Sequence, residues 1–188
     1  GEMGIGNTTT STAVLCALTK NHPDEITGRG GGITDGAFDK KKKIIQMALE
    51  INKPNPNDIV DIISKVGGFD IAAMCGVFLG AARYKLPVVI DGYISIVAAL
   101  CAKRISNNSA KYFIPSHKSK EKGYLVAAKE LEVNPFLDLN MRLGEGSGCP
   151  LAFEIVRAAC AIMNEMSTFD AAGIDDSYLT EIREQGNF

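Results

Sequence analysis

An α/β fold built on a parallel sheet is the architecture this sequence predicts, and two observations carry it. Short apolar runs, Leu86 to Asp91, Tyr112 to Ile114 and Phe136 to Leu139, alternate with stretches of helical periodicity, the pattern of strand–helix–strand units. These runs lead into polar or glycine-rich loops, Asp91-Gly92, Pro115 to Ser119 and Gly144 to Gly148. In parallel sheets, ligands sit outside the carboxyl ends of the strands, so these loops should gather at one edge. The 188 residues, 46% hydrophobic and 22% charged, suit one globular domain of the usual ~100–200 residues and exclude a wholly disordered chain.

Taken in order, Asn7 to Lys20 reads as a helix entered through glycines and a Thr/Ser-rich turn. Ile26 to Gly32 is a short extended piece running into a glycine loop. Phe38 to Asn52 carries apolar residues at 44, 45, 48 and 51, an amphipathic helical spacing. Lys53 to Asn57, with two prolines, stops it, and Asn57 is the expected cap of a helix from Asp58 to Val66. After Gly67-Gly68, Asp70 to Arg83 reads as a buried helix in which Gly76 and Gly80 allow close packing. The strand ending at Asp91 is followed by a helix over Tyr93 to Arg104, and the second strand by a helix from about Lys120 to Glu132. Pro150, suited to a first turn, opens an Ala-rich helix to Met166, and Ser177 to Gln185 is a terminal helix.

Charge and cysteine usage narrow the function classes. With 20 Lys and Arg against 22 Asp and Glu the formal charge is −2, which argues against a nucleic-acid coat. The five cysteines, without a C-x-x-C pair, sit mostly in apolar stretches, as free thiols do in a reducing cytoplasmic compartment. Two distant histidines give no metal-ligand cluster, so no metal or cofactor is expected. The longest apolar window, Ile71 to Ala82, is too short for a membrane span of about 20 residues. The chain opens on Gly1 without an initiator Met, and the expectation is a piece of something longer.

Several loops can carry chemistry. Gly1-x-x-Gly4-x-Gly6 before Asn7-Thr8-Thr9-Thr10 sets backbone N–H groups and hydroxyls at a helix N-terminus, which suits a phosphate or is a plain tight turn. It lacks the lysine of a Walker loop and the third glycine of a dinucleotide fingerprint. Gly28 to Gly32 and Gly67-Gly68 are further loops with exposed backbone, or punctuation. Lys40 to Lys43 is a solvated helix face or supplies one lysine to an anion beside those loops. Asp91 holds a ribose hydroxyl or a cation, or caps the helix that follows. Ser116 and His117 suggest an acyl-transfer triad only faintly, without a G-x-S-x-G elbow. In Gly144-Glu145-Gly146-Ser147-Gly148 the flanking glycines admit a ligand close to the backbone and leave the Glu145 carboxylate unshielded. A partly desolvated Glu145 suits a general base, and a helix cap with Ser147 is the alternative.

Taken together, Gly1 to Thr9, Lys65 to Asp70, Asp91-Gly92, Pro115-Ser116-His117-x-Ser119-x-Glu121-x-Gly123 and Met141 to Gly148 closely resemble the nicotinate-nucleotide–dimethylbenzimidazole phosphoribosyltransferases, from Gly1 to about Met166. The resemblance implies a Rossmann-like parallel sheet flanked by helices, a smaller helical domain built from both chain ends, and a homodimer. Residues 1–166 would be the nucleotide-binding large domain without the family's N-terminal half, and 167–188 a helical tail. The implied reaction transfers the phosphoribosyl group of nicotinate mononucleotide to dimethylbenzimidazole or a related base. It gives α-ribazole 5′-phosphate and nicotinate, in assembly of the cobalamin nucleotide loop.

The family's general base falls on Glu145, between Gly144 and Gly146. Its phosphate loop falls on Gly4, Gly6, Asn7, Thr8 and Thr9, its basic contact on Lys41, and nucleotide contacts on Glu2, Ser119, Asp91, Gly67 and Gly68. Tyr124 stands where the family often has His, and Cys149-Pro150 replaces small residues. Because the family draws much of its base pocket from the N-terminal half, a nucleotide-binding module that cannot turn over alone is the other reading.

Overall fold

Val88, Val89 and Ile90 are all β-branched, which favours the extended backbone of strand β1 (Val88–Ile90). It pairs in parallel with β2 (Phe113–Pro115), Val88 opposite Phe113 and Ile90 opposite Pro115. The chain, here a computed structural model, is described over residues 4–175, 177 and 179–186. The expected third strand over Phe136 to Leu139 is reduced to one parallel bridge, Leu137 with His117. Two backbone bonds make it, Lys118 N–H to Leu137 O at 2.8 Å and Leu137 N–H to Ser116 O at 3.1 Å, and the ladder goes no further.

The helices follow the sequence closely and their caps explain the differences. Helix α1 (Asn7–Thr19) starts where Gly6 turns the chain at φ 81°. Ile26, expected to open an extended piece, instead ends a single helical turn, α2 (Pro23–Ile26), and extended backbone begins at Thr27. His22 makes that turn by accepting the Asp24 N–H while Glu25 accepts the His22 N–H, a reciprocal cap. Thr34 caps α3 (Asp35–Asn52) three residues earlier than the apolar periodicity indicated. Asp58, not Asn57, caps α4 (Ile59–Val66), its Oδ1 accepting the Asp61 N–H at 3.1 Å. Helix α5 (Phe69–Arg83) buries a single face, Ile71, Cys75 and Phe78. Gly76 and Gly80 have no neighbour within 4 Å of a Cβ position, so neither serves the close packing expected of them.

Helix α6 (Tyr93–Ile105) is the centre of the core. Ile96 to Ala102 is completely buried, packed among α1, α5 and α7 (Lys122–Leu131). Phe78 meets Phe113 edge-on at 4.9 Å between ring centroids, an arrangement that favours both quadrupoles. Helix α8 (Gly148–Glu165) starts two residues before Pro150, which lies in its first turn. The chain divides into two compact units, 1–152 and 153–188. In the second, Thr168 caps α9 (Phe169–Ala172), Gly173 closes it at φ 67°, and α10 (Leu179–Glu184) follows. Among the described residues no helix is long and apolar enough to cross a membrane.

Candidate functional site

A cleft of about 870 Å³ opens at the carboxyl end of β1. Gly4 and Asn7 from the start of α1, Asp91 and Gly92 after β1, and Gly144, Glu145 and Gly146 all line it. Its opposite wall is apolar, with Met74, Val77 and Phe78 of α5 and Val88 and Val89 of β1. Phe69 and Asp70 at the start of α5 complete the rim. One Asp70 oxygen, Oδ2, is buried without a hydrogen-bond partner. Sequence reasoning did not single out this wall, although the Gly67-Gly68 turn that aims α5 at the cleft was visible.

The loop carrying Glu145 is built from left-handed backbone. Gly144, Glu145 and Gly146 have φ values of 77°, 57° and 73°, of which the two glycines adopt theirs freely and Glu145 does not. Glu145 is exposed, so the desolvation expected of a base is not met in this unit: its carboxylate stands at the open mouth of the cleft. Asp91 holds the loop in place. Its Oδ2 accepts the Gly146 N–H at 3.1 Å and its Oδ1 the Gly148 N–H at 2.8 Å. A carboxylate at a helix N-terminus satisfies orphan donors and complements the dipole. The cap of α8 is therefore Asp91, from 57 residues away in sequence. Ser147, the expected cap, has an unpartnered hydroxyl, and α6 starts without a side-chain cap.

Behind Asp91 lie Ser116 and His117, both buried. His117 Nδ1 is 3.2 Å from Ser116 Oγ and 3.7 Å from the nearer Asp91 oxygen. The three side chains of a triad thus meet, but serine and aspartate address the same ring nitrogen, whereas a triad needs opposite ones. The Ser116 hydroxyl donates to Ile90 O at 2.6 Å and is sealed from solvent, so acyl transfer has no nucleophile here. Any Cβ on Gly148 would collide with His117 Nδ1, which fixes that glycine by close approach. Tyr124 is completely buried nearby, its phenol pushed up to about 12 by burial and then by the Asp91 charge.

A second cluster surrounds Lys41. Of the four consecutive lysines it is the one turned inward, with its ammonium donating to Thr8 Oγ1 at 2.8 Å and Gly28 O at 2.9 Å. Lys42 instead pairs with Asp39 at 3.0 Å and Asp24 at 3.8 Å. The glycine loop is anchored from outside by Arg29, which donates to Ile33 O at 2.9 Å, pairs with Asp35 and stacks on Phe38. Gly30 lies against Thr8, at 3.1 Å from its hydroxyl to a Cβ position. Thr9 holds the entry turn by donating its N–H to Gly6 O. Gly67 and Gly68 form the tight turn between α4 and α5, with Thr10 3.9 Å from a Gly68 Cβ position. Ser119 is buried beside Gly92 and accepts the Glu121 N–H at 3.3 Å. Glu2 lies outside the described residues.

An acid-rimmed cleft at the end of a parallel strand, bordered by glycine loops, defines an α/β ligand-binding protein. A phosphoribosyltransferase family model matches residues 1–174, and the chain belongs to that family. It is 55% identical over 185 residues to the nicotinate-nucleotide–dimethylbenzimidazole phosphoribosyltransferase of Clostridium perfringens, covering 98% of this chain and 51% of that protein. The enzyme of the same name from Chloroflexus aurantiacus is 47% identical over 176 residues, covering 94% and 50%. The crystal structure of CobT from Thermus thermophilus superposes with a TM-score of 0.85 at 32% identity, over 92% of this chain and 51% of that one. The chain thus spans about half the length of the relatives it matches.

Proposed function

We propose that this chain is the base-bearing, nucleotide-binding half of an enzyme that transfers the phosphoribosyl group of nicotinate mononucleotide to 5,6-dimethylbenzimidazole or a related base. The product is α-ribazole 5′-phosphate, for the nucleotide loop of cobalamin. The observation that carries the reading is Glu145, presented between two left-handed glycines at the mouth of the cleft, in a chain 55% identical to an enzyme named for that reaction.

The chemistry follows from these groups. A nitrogen of the base attacks C1′ of the ribose while the C1′–N bond to nicotinate breaks and its electron pair stays on the pyridine nitrogen. The attacking imidazole becomes cationic and gives its other N–H proton to the Glu145 carboxylate. Such a transition state needs positioning and electrostatics rather than a metal. Gly4, Gly6, Asn7, Thr8, Thr9 and Lys41 hold the 5′-phosphate, a remote handle whose binding energy positions the ribose. Glu2, Ser119, Asp91, Gly67 and Gly68 complete the nucleotide site. The enzyme acts as a cytoplasmic homodimer, and the helical tail over residues 167–188 belongs to its smaller helical domain.

The test is to incubate the chain with nicotinate mononucleotide and dimethylbenzimidazole and look for ribazole phosphate. A second arm repeats it with the chain embedded at the full length of its relatives. Turnover that survives Glu145→Gln unchanged overturns the assignment of the base. Nucleotide binding without product from this chain alone supports a module that needs the other half, a reading favoured by its coverage of only 51% of its relative.

A further inference from the structure

Lys41 is 8% exposed, yet both groups that receive its ammonium protons, Thr8 Oγ1 and Gly28 O, are uncharged. A buried ammonium without a counter-charge tends to lose its proton, because burial disfavours the charged form. The neighbouring carboxylate is Glu121, at the N-cap of α7. It packs against the same residue, Gly28, where a Cβ would collide with Glu121 Oε2. That oxygen is buried and has no hydrogen-bond partner. Lys41 and Glu121 therefore both contact one glycine without a hydrogen bond or ion pair between them, and Lys41 keeps one of its three donors beyond the two in use.

We propose that Glu121 is a positioning residue for the anion site, whose charge, acting across Gly28, keeps the buried Lys41 an ammonium free to meet a phosphate monoester. The proposal rests on Lys41 as the phosphate contact of the preceding section. Separation is what makes the arrangement useful. A direct ion pair would spend the lysine on the protein's own carboxylate, whereas a through-space partner leaves a donor for the ligand. The other groups around the pair do not replace Glu121. From α1 comes the Thr8 hydroxyl, and from α6 the Tyr93 phenol, which bonds Thr12 at 3.0 Å and is pushed up chiefly by burial. Arg29 is tied to Asp35, Asp24 faces Lys42, and Lys122 donates to Asp24 O. Burial lowers the Lys41 pKa and Glu121 opposes the fall. Phosphate affinity is therefore full below that pKa and drops as pH rises through it.

The experiment follows the side-chain NMR signals of 13C,15N-labelled lysine against pH in the intact chain, with the signal lost in Lys41→Arg identifying Lys41. In Glu121→Gln its titration midpoint is expected about one pH unit lower, and in Glu121→Asp close to the parent. Inorganic phosphate, the probe for binding, should lose up to about tenfold in affinity in Glu121→Gln in alkaline buffer and little in mildly acidic buffer. An unchanged Lys41 midpoint in a folded Glu121→Gln overturns the proposal. So does an equal loss of phosphate affinity at every pH, the mark of a merely structural residue. A parent chain that fails to bind phosphate, with the midpoint shift intact, counts against Lys41 as phosphate contact and leaves the Glu121–Lys41 coupling standing.

Discussion

The Lys41 corner and the Glu145 loop lie in one compact unit and are both glycine-rich, yet they are stabilised in opposite ways. Around Lys41 the charged side chain is buried and the backbone is held by Lys41 itself and by Arg29, with Thr8 and Glu121 packed against its glycines. Around Glu145 the charged side chain is exposed and the backbone, three left-handed residues in a row, hangs on the two N–H bonds to Asp91. The contrast suits two tasks. Under the proposed function, a phosphate handle gains from a fixed cation, while a general base has to meet a proton arriving with the second substrate.

The sharpest challenge to that contrast is Glu145→Gln in the full-length enzyme. Product formation should fall by about 10²- to 10⁴-fold with nicotinate mononucleotide affinity kept, since removal of a general base leaves the handle intact. Next comes a matched pair of glycine substitutions read by thermal or denaturant unfolding. Gly148→Ala drives a methyl into the buried His117, Ser116 and Asp91 cluster and should cost about 1–3 kcal/mol. Gly28→Ala first meets the far end of the flexible Glu121 side chain, which can rotate away, so its loss should be the smaller. Equal losses would break the comparison. Asp91→Asn keeps one acceptor for two N–H donors and should destabilise by about 1–2 kcal/mol. It should also speed hydrogen exchange at Gly146 and Gly148 while leaving Gly28 unaffected. The smallest effect on stability is expected from Glu145→Gly, which removes a side chain from left-handed backbone and should stabilise by up to about 1 kcal/mol.

Legibility in the sequence tracked the range of the interaction. Helices α1, α3 and α6 were readable to within a few residues because periodicity and caps act locally. The strand proposed over Phe136 to Leu139 has the right composition, but one bridge is all the pairing it finds, and pairing is not a local property. Glu145 was visible through its flanking glycines. Asp91 was visible as a candidate, yet its task at the start of α8 was not, because a cap supplied from 57 residues away leaves no mark beside that helix. In a run of four lysines composition offers no register; the family resemblance points to Lys41, and its burial and its partners Thr8 and Gly28 distinguish it from Lys42. Glu121, bracketed by a serine and a glycine in its motif, gave no hint that it abuts Gly28.

The apolar side of the cleft gives the molecule a practical handle. Phe69 opens α5 at the rim and is 94% exposed, and the chain contains no tryptophan. An indole introduced there would be the sole one in the chain, seated on the rim of the cleft. Its emission would then report occupancy of the cleft directly, with no label and no coupled assay.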